Sequence, residues 1–346
     1  MTETEINNSG SYTVKIGSGL LDTLGEEIRK LGKINKVCVV TDTNVSDLYG
    51  ARVRDNLTAA GFDVSSFVFP YGERSKNLTV YQNLVEDLCS KRFTRSDLIV
   101  ALGGGVVGDL AGFAAATFQR GIRYVQVPTT LLAAVDSSVG GKTAVDLNAG
   151  KNQVGCFYQP SLVICDTDTL ATLPDEQYRC GCAEVIKYAI LRDRGFYGEL
   201  MNLPASEQYE HVIATCVEMK KAYVQEDEFD TGVRMFLNLG HTIGHAVEAL
   251  SGFTTLHGQA VSIGMAAIAR SSARKGICSE NTRDEIIAIL EKYGLPVENP
   301  YKPEDMAEIM LSDKKLIGGT LNLIVPEEIG KCRIIPVETD KLVEWI

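Results

Sequence analysis

Residues 97–118 read DLIVALGGGVVGDLAGFAAATF, and this stretch decides the fold class. Asp97 to Leu102 is a short apolar run containing Ile99 and Val100, the pattern of a strand buried on both faces. A glycine cluster follows, and from Leu110 to Phe118 small and apolar residues continue without a breaker, as a helix does. Strand, glycine turn and helix in that order form the unit of parallel α/β sheets. Gly103, Gly105 and Gly108 also satisfy G-x-G-x-x-G, a spacing that lets backbone N–H groups and a helix N-terminus approach a pyrophosphate. A tight glycine turn without a ligand satisfies the pattern equally well.

The same alternation extends to both sides. Lys36 to Thr41, Val64 to Phe69, Tyr124 to Val127 and Leu162 to Cys165 read as strands, and Val45 to Ala60 and Leu78 to Lys91 as helices. The prediction is a Rossmann-like parallel sheet whose ligands gather at the carboxyl ends of its strands. After about Leu170 strand signals nearly stop, and helical periodicity takes over in 176–192, 206–226, 239–251, 258–275 and 282–293. One alternating pair, Thr320 to Pro326 and Lys331 to Val337, predicts a small hairpin near the end. Two domains are expected, an α/β domain over 1–172 and a mainly α-helical one over 173–346. Disorder is expected only at the ends, chiefly Met1 to Gly10.

Composition narrows the function classes. The 346 residues are 45% hydrophobic and 23% charged, ordinary for a globular chain long enough to form two cores. A formal charge of −11 disfavours nucleic acid and anionic membranes, which need a basic face. An anionic ligand would need a local basic pocket. The opening MTETEINNSG lacks the character of a leader, and no apolar run reaches the roughly 18 residues of a membrane helix, so a cytoplasmic protein is expected. Nine scattered cysteines suit reduced core thiols, and the pair Cys180 and Cys182 lacks the second pair that a structural zinc site needs.

Several segments carry chemistry. The acid that usually holds a ribose about 20 residues after the glycines is missing from Gln126 to Thr129. Asp42, ending the strand at 36–41, is the candidate instead, with helix capping as the alternative. Segment 136–152, DSSVGGKTAVDLNAGKN, holds two lysines, two aspartates and three glycines, a composition suited to backbone bent around an anion. Three of the four histidines lie within 17 residues, at 241, 245 and 257. His241 and His245 share one helix face and are open to a shared metal or to a ligand with a catalytic neighbour. A catalytic zinc site also wants a third ligand, and Glu184 in the apolar run AEVIKY is the candidate, against a structural ion pair with Lys187. His211 reads as a solvated surface residue.

Taken together, GGGVVGD at 103–109, DSSVGGKT at 136–143, GKN at 150–152, AEVIK at 183–187 and NLGHTIGHAVE at 238–248 resemble the 3-dehydroquinate synthase family over nearly the whole chain. The unbroken SSVGGKT run points to that family rather than to the inosose- or valiolone-forming cyclases. The resemblance implies a Rossmann-like NAD domain, a helical metal domain and a homodimer. It implies one divalent ion, zinc or cobalt, on Glu184, His241 and His257, with His245 near the substrate phosphate. NAD would lie against Asp42, Asn44, Tyr71, Gly72, Glu73, Arg74, Ser75, Lys76, Gly105, Val106, Val107, Gly108, Asp109, Thr129, Thr130, Lys142, Lys151, Thr169, Leu170, Ala171 and Thr172. Contacts to a small sugar acid phosphate would come from Asp136, Lys142, Asn152, Lys187, Lys220, Arg234, Asn238, His245, Lys314 or Lys315, and Arg120 of the neighbouring subunit.

The implied reaction converts 3-deoxy-D-arabino-heptulosonate 7-phosphate to 3-dehydroquinate and phosphate, with NAD reduced and reoxidised in each turnover. The rival is a metal-dependent glycerol or alcohol dehydrogenase, which has no use for so many lysines and arginines. Cys180 and Cys182 stand where the family usually has small or aliphatic residues, which predicts added sensitivity to oxidation or heavy metals.

Overall fold

The computed structural model describes residues 1–312 and 319–346. They form two compact units: Met1–Pro174 with Tyr209–Phe229, and Asp175–Gln208 with Asp230–Ile346.

The first unit is built on a seven-stranded sheet of β1 (Thr2–Asn7), β2 (Ser11–Gly17), β3 (Lys36–Asp42), β4 (Asp63–Phe69), β5 (Leu98–Gly103), β6 (Arg123–Pro128) and β9 (Leu162–Asp166), in the order β1-β2-β9-β6-β5-β3-β4. A separate antiparallel hairpin, β7 (Lys142–Leu147) with β8 (Gly150–Phe157), lies between β6 and β9 in the chain. All pairings in the large sheet are parallel except β1 with β2. Side chains alternate along each strand. Cys38, Val40, Ile99 and Ala101 join the core under the helix Gly105–Thr117, while Val37, Val39, Leu98 and Val100 join the core on the other face.

Three expectations are corrected here. The N-terminus is not disordered, because Thr4 and Ile6 point inward while Glu3 and Glu5 point out, and β1 pairs with β2 along its length. The sheet is therefore parallel with one antiparallel edge. The helix Tyr209–Glu226 does not stay with the helical half, so one cut after residue 172 does not describe the units. Its Glu210 and Glu218 accept hydrogen bonds from Thr2 and Thr4 of β1, at 2.8 and 2.7 Å, and Lys220 pairs with Asp136. Those polar contacts are made with the sheet side of the chain, which sequence periodicity does not register.

The second unit is the predicted helical domain, with the hairpin β10 (Thr320–Glu328) and β11 (Lys331–Glu338). Its central helix, His257–Arg274, is pressed against two other backbones. A Cβ on Gly264 would lie 1.9 Å from the carbonyl oxygen of Gly240, and one on Gly258 would lie 2.3 Å from that of Cys180. Glycine at both positions is what lets three chain segments meet.

Candidate active site and metal centre

From β3 the chain runs outward to β4, then returns to the other side of β3 as β5. Such a switch leaves a crevice at the carboxyl ends of β3 and β5, where open α/β sheets bind ligands. Asp42 ends β3, Tyr71 to Lys76 follow β4, Gly105 to Asp109 open the helix after β5, Thr129 and Thr130 follow β6, and Thr169 to Thr172 follow β9. The structure therefore brings these sequence-predicted residues to one edge of one sheet. Gly108 is needed there, because a Cβ would lie 2.6 Å from the side-chain oxygen of Gln126. Asp42 caps the next short helix, accepting from the N–H of Val45 at 3.0 Å, and Asn44 lies on that helix. A ligand contact of Asp42 would draw on the same carboxylate.

A charge cluster around the buried Lys76 ties this edge to the β7–β8 hairpin. Lys76 Nζ lies 2.9 Å from Glu73, 3.2 Å from Asp109 and 3.8 Å from Asp146, and Lys151 Nζ lies 3.9 Å from Glu73. Burial pushes the Asp109 carboxyl up to about 6, with Lys76 pulling the other way. Asp146 donates its backbone N–H to the carbonyl of Lys76 and accepts the N–H of Asn152, both at 2.8 Å. Asn152 is held at φ 55, a left-handed conformation uncommon for a residue with a side chain. Lys142 opens β7 on an exposed position. Asp136 pairs with Lys220, whose Nζ also donates to its backbone carbonyl at 2.8 Å. Arg120 is exposed at φ 65.

In the second unit the metal candidates come from three helices. Glu184 lies on Asp175–Arg192, His241 opens His241–Leu250, and His257 opens His257–Arg274. Glu184 Oε1 stands 3.6 Å from His241 Nε2 and 3.3 Å from His257 Nε2. Two ligand atoms on a tetrahedral zinc ion with bonds of about 2.05 Å are about 3.3 Å apart, so the donor set fits a divalent ion. The other ring nitrogens face acceptors only: His241 Nδ1 donates to the Leu239 carbonyl at 3.1 Å, and His257 Nδ1 meets Glu248 Oε2 at 3.3 Å. Both Nε2 atoms are thus turned toward Glu184.

Burial holds His241 well below the usual imidazole range. Burial also opposes charge on His257, but Glu184 and Glu248 outweigh it and hold that ring up to about 10. The ring of His245 is 5.7 Å from that of His241 and 6.2 Å from that of His257, on the same helix face but outside the Glu184 cluster. Lys187 Nζ forms an ion pair with Glu184 Oε2 at 2.5 Å, Arg234 is buried, and Asn238 closes the turn Val233–Asn238 before His241. Lys314 and Lys315 lie outside the described residues.

Sequence reasoning gave Glu248 no role, although its spacing from His245 was readable. The expectation for Cys180 and Cys182 is revised. Both are buried, and burial pushes their thiols up to about 11 and about 12, so neither is a thiolate at neutral pH. Among the described residues, no helix is long and apolar enough to cross a membrane.

Known structures share this fold. A 2-deoxy-scyllo-inosose synthase complexed with carbaglucose-6-phosphate, NAD+ and Co2+ superposes with a TM-score of 0.90 at 27% identity, covering 99% of each chain. ValA, a 2-epi-5-epi-valiolone synthase from Streptomyces hygroscopicus with NAD+ and Zn2+ bound, gives 0.89 at 25% identity, covering 99% of this chain and 97% of that one. The fold is thus that of the sugar phosphate cyclases. Residues 66–180 match the 3-dehydroquinate synthase N-terminal family and residues 181–316 its C-terminal counterpart. The 3-dehydroquinate synthase of Pelobacter propionicus is 45% identical over 341 residues, spanning 96% of this chain and 95% of that protein. The chain belongs to the 3-dehydroquinate synthase family.

Proposed function

We propose that the chain converts 3-deoxy-D-arabino-heptulosonate 7-phosphate to 3-dehydroquinate and phosphate, using NAD and one zinc or cobalt ion held by Glu184, His241 and His257. The observation that carries this reading is the convergence of two oriented imidazoles on one oxygen of a buried carboxylate, in a chain of this family.

NAD, when bound, supplies a hydride acceptor and donor, and the divalent ion supplies a Lewis acid that lowers the pKa of a substrate hydroxyl. The residues do the rest. The glycine turn and helix N-terminus at Gly105 would receive the pyrophosphate, with Glu73 and Asp42 as ribose acceptors. Oxidation of the substrate hydroxyl to a ketone acidifies the adjacent C–H, and loss of that proton expels phosphate from the next carbon. Lys142, Asn152, Arg234 and His245 are assigned to the phosphate, as the family resemblance implies, as donors to its growing charge. Lys187, Lys220, Asp136, Asn238 and Lys314 or Lys315 are assigned to the rest of the sugar acid. Ketone reduction, ring opening and internal aldol addition complete the product. A cytoplasmic homodimer with Arg120 reaching the neighbouring subunit belongs to the same proposal.

The test is phosphate release from this substrate with catalytic NAD, before and after chelation, while absorbance is followed for NADH. Chelator-sensitive release without net NADH is expected. Steady NADH without phosphate would replace this reading by the dehydrogenase.

A further inference from the structure

Glu248 is a buried acid, 2% exposed, with no part in the chemistry above. It lies on the helix His241–Leu250 at positions i, i+4 and i+7 with His241 and His245, so all three face one way. Its Oε2 meets His257 Nδ1 at 3.3 Å, across the loop that joins this helix to the next. That loop is itself anchored on Glu248. Its backbone carbonyl accepts from the Phe253 N–H and the Ser251 hydroxyl, both at 2.8 Å. One residue therefore fixes the loop with its main chain and the first residue of the following helix with its side chain.

We propose that Glu248 is the positioning residue of the metal centre, setting the tautomer and orientation of His257 and supplying negative charge behind it. The inference rests on the ion assignment made above. A carboxylate only accepts, so Glu248 holds a proton on Nδ1 and leaves Nε2, which faces Glu184 Oε1, as the nitrogen that an ion would take in exchange for a proton. Charge points the same way. Glu184 shares its other oxygen with Lys187, so one carboxylate of the ligand set is already partly neutralised. A divalent ion held there gains a second acid at the next remove, through His257. His245, Glu248 and His257 also lie close enough to form a ligand cluster of their own. His257 cannot serve both clusters as a neutral ligand, because its Nδ1 carries the proton given to Glu248.

The experiment compares the wild-type chain with Glu248→Ala and Glu248→Gln. Zinc affinity is measured by competition with a chromophoric chelator, the cobalt form by its visible absorption, and folding by circular dichroism. Loss of an outer acceptor of this kind typically costs about 10- to 100-fold in metal affinity, and that is expected for Glu248→Ala, with a changed cobalt spectrum and unchanged helix content. Glu248→Gln keeps the volume and one acceptor oxygen, so it should lose less. It carries the test alone if Glu248→Ala does not fold, and wild-type affinity in it would then overturn the proposal. Wild-type affinity and spectrum in both variants would do the same. Two ions per wild-type chain, with one lost in Glu248→Gln, would make Glu248 a ligand and refute the positioning role. A wild-type chain that takes up no ion would overturn the functional reading and this inference together.

Discussion

Lys187 Nζ lies 2.5 Å from Glu184 Oε2 with both side chains buried, 1% and 0% exposed. Glu184 Oε1 meanwhile faces the Nε2 atoms of His241 and His257. The sequence left metal ligand and ion pair as alternatives for Glu184, and in the structure one oxygen makes the ion pair while the other faces the histidines. A buried carboxylate with one oxygen held by an ammonium is turned to offer the other in a fixed direction.

Removing that ammonium should therefore be costly, and a metal should relieve it. Lys187→Ala is expected to lose about 3–5 kcal/mol without metal, since a buried charge then loses its partner. Excess zinc should raise its melting temperature more than that of the wild type. Equal metal-free melting of the two proteins would contradict this account.

His257→Ala should lose metal and activity together, by about a thousandfold or more, since Lewis-acid stabilisation is worth several kcal/mol. Arg234→Ala should keep its metal and lose phosphate departure and substrate binding. Metal content by atomic emission, beside steady-state rates, separates the two. Full activity in a metal-free His257→Ala protein would defeat the site assignment.

The Asp109 carboxyl, raised to about 6, gives a pH dependence with a definite sign. Below that pH it is neutral, and above it a negative charge stands in the first turns of the helix that would receive a pyrophosphate, beside Lys76, Glu73 and Asp146. NAD should therefore bind more weakly as pH rises from 5 to 7.5, and Asp109→Asn should flatten the curve. The same raised pKa, above the ordinary 3.8, means the folded chain holds the extra proton. This group's contribution to stability is thus present below about pH 4 and lost as pH rises through about 6. Titration of NAD by protein fluorescence at several pH values checks the first effect, and an unchanged curve in Asp109→Asn would refute it.

Gly264→Ala places a methyl 1.9 Å from the Gly240 carbonyl oxygen. The about 1 kcal/mol that alanine gains over glycine in a helix cannot offset the forced separation, so a net loss of about 1–3 kcal/mol is expected. Because Gly240 precedes His241, zinc affinity should fall as well. Denaturant unfolding and a zinc titration report the two effects, and a stabilised variant would mean that the helices part without strain.

Much of the molecule was legible from local pattern. The run 97–118 fixed strand, turn and helix because each depends on residues within a few positions, and the alternation around it carried the sheet. That His257 rather than His245 groups with Glu184 and His241 was legible only through resemblance, since spacing alone put His241 and His245 on one face. Glu248 was passed over because its partner lies across a loop, on another helix.

By itself the sequence determined the α/β and helical halves, the glycine turn and the inventory of acids, lysines and histidines. Tertiary structure decided what long-range contact decides. The acidic stretch at Thr2–Asn7 became an edge strand because β2 was there to pair with it, and the helix Tyr209–Glu226 joined the first unit through hydrogen bonds to that strand. It also decided which oxygen of Glu184 meets Lys187 and which meets the histidines. Helix and strand periods report only which face is apolar, whereas a ligand set depends on backbones brought within van der Waals distance by glycines far apart in the chain.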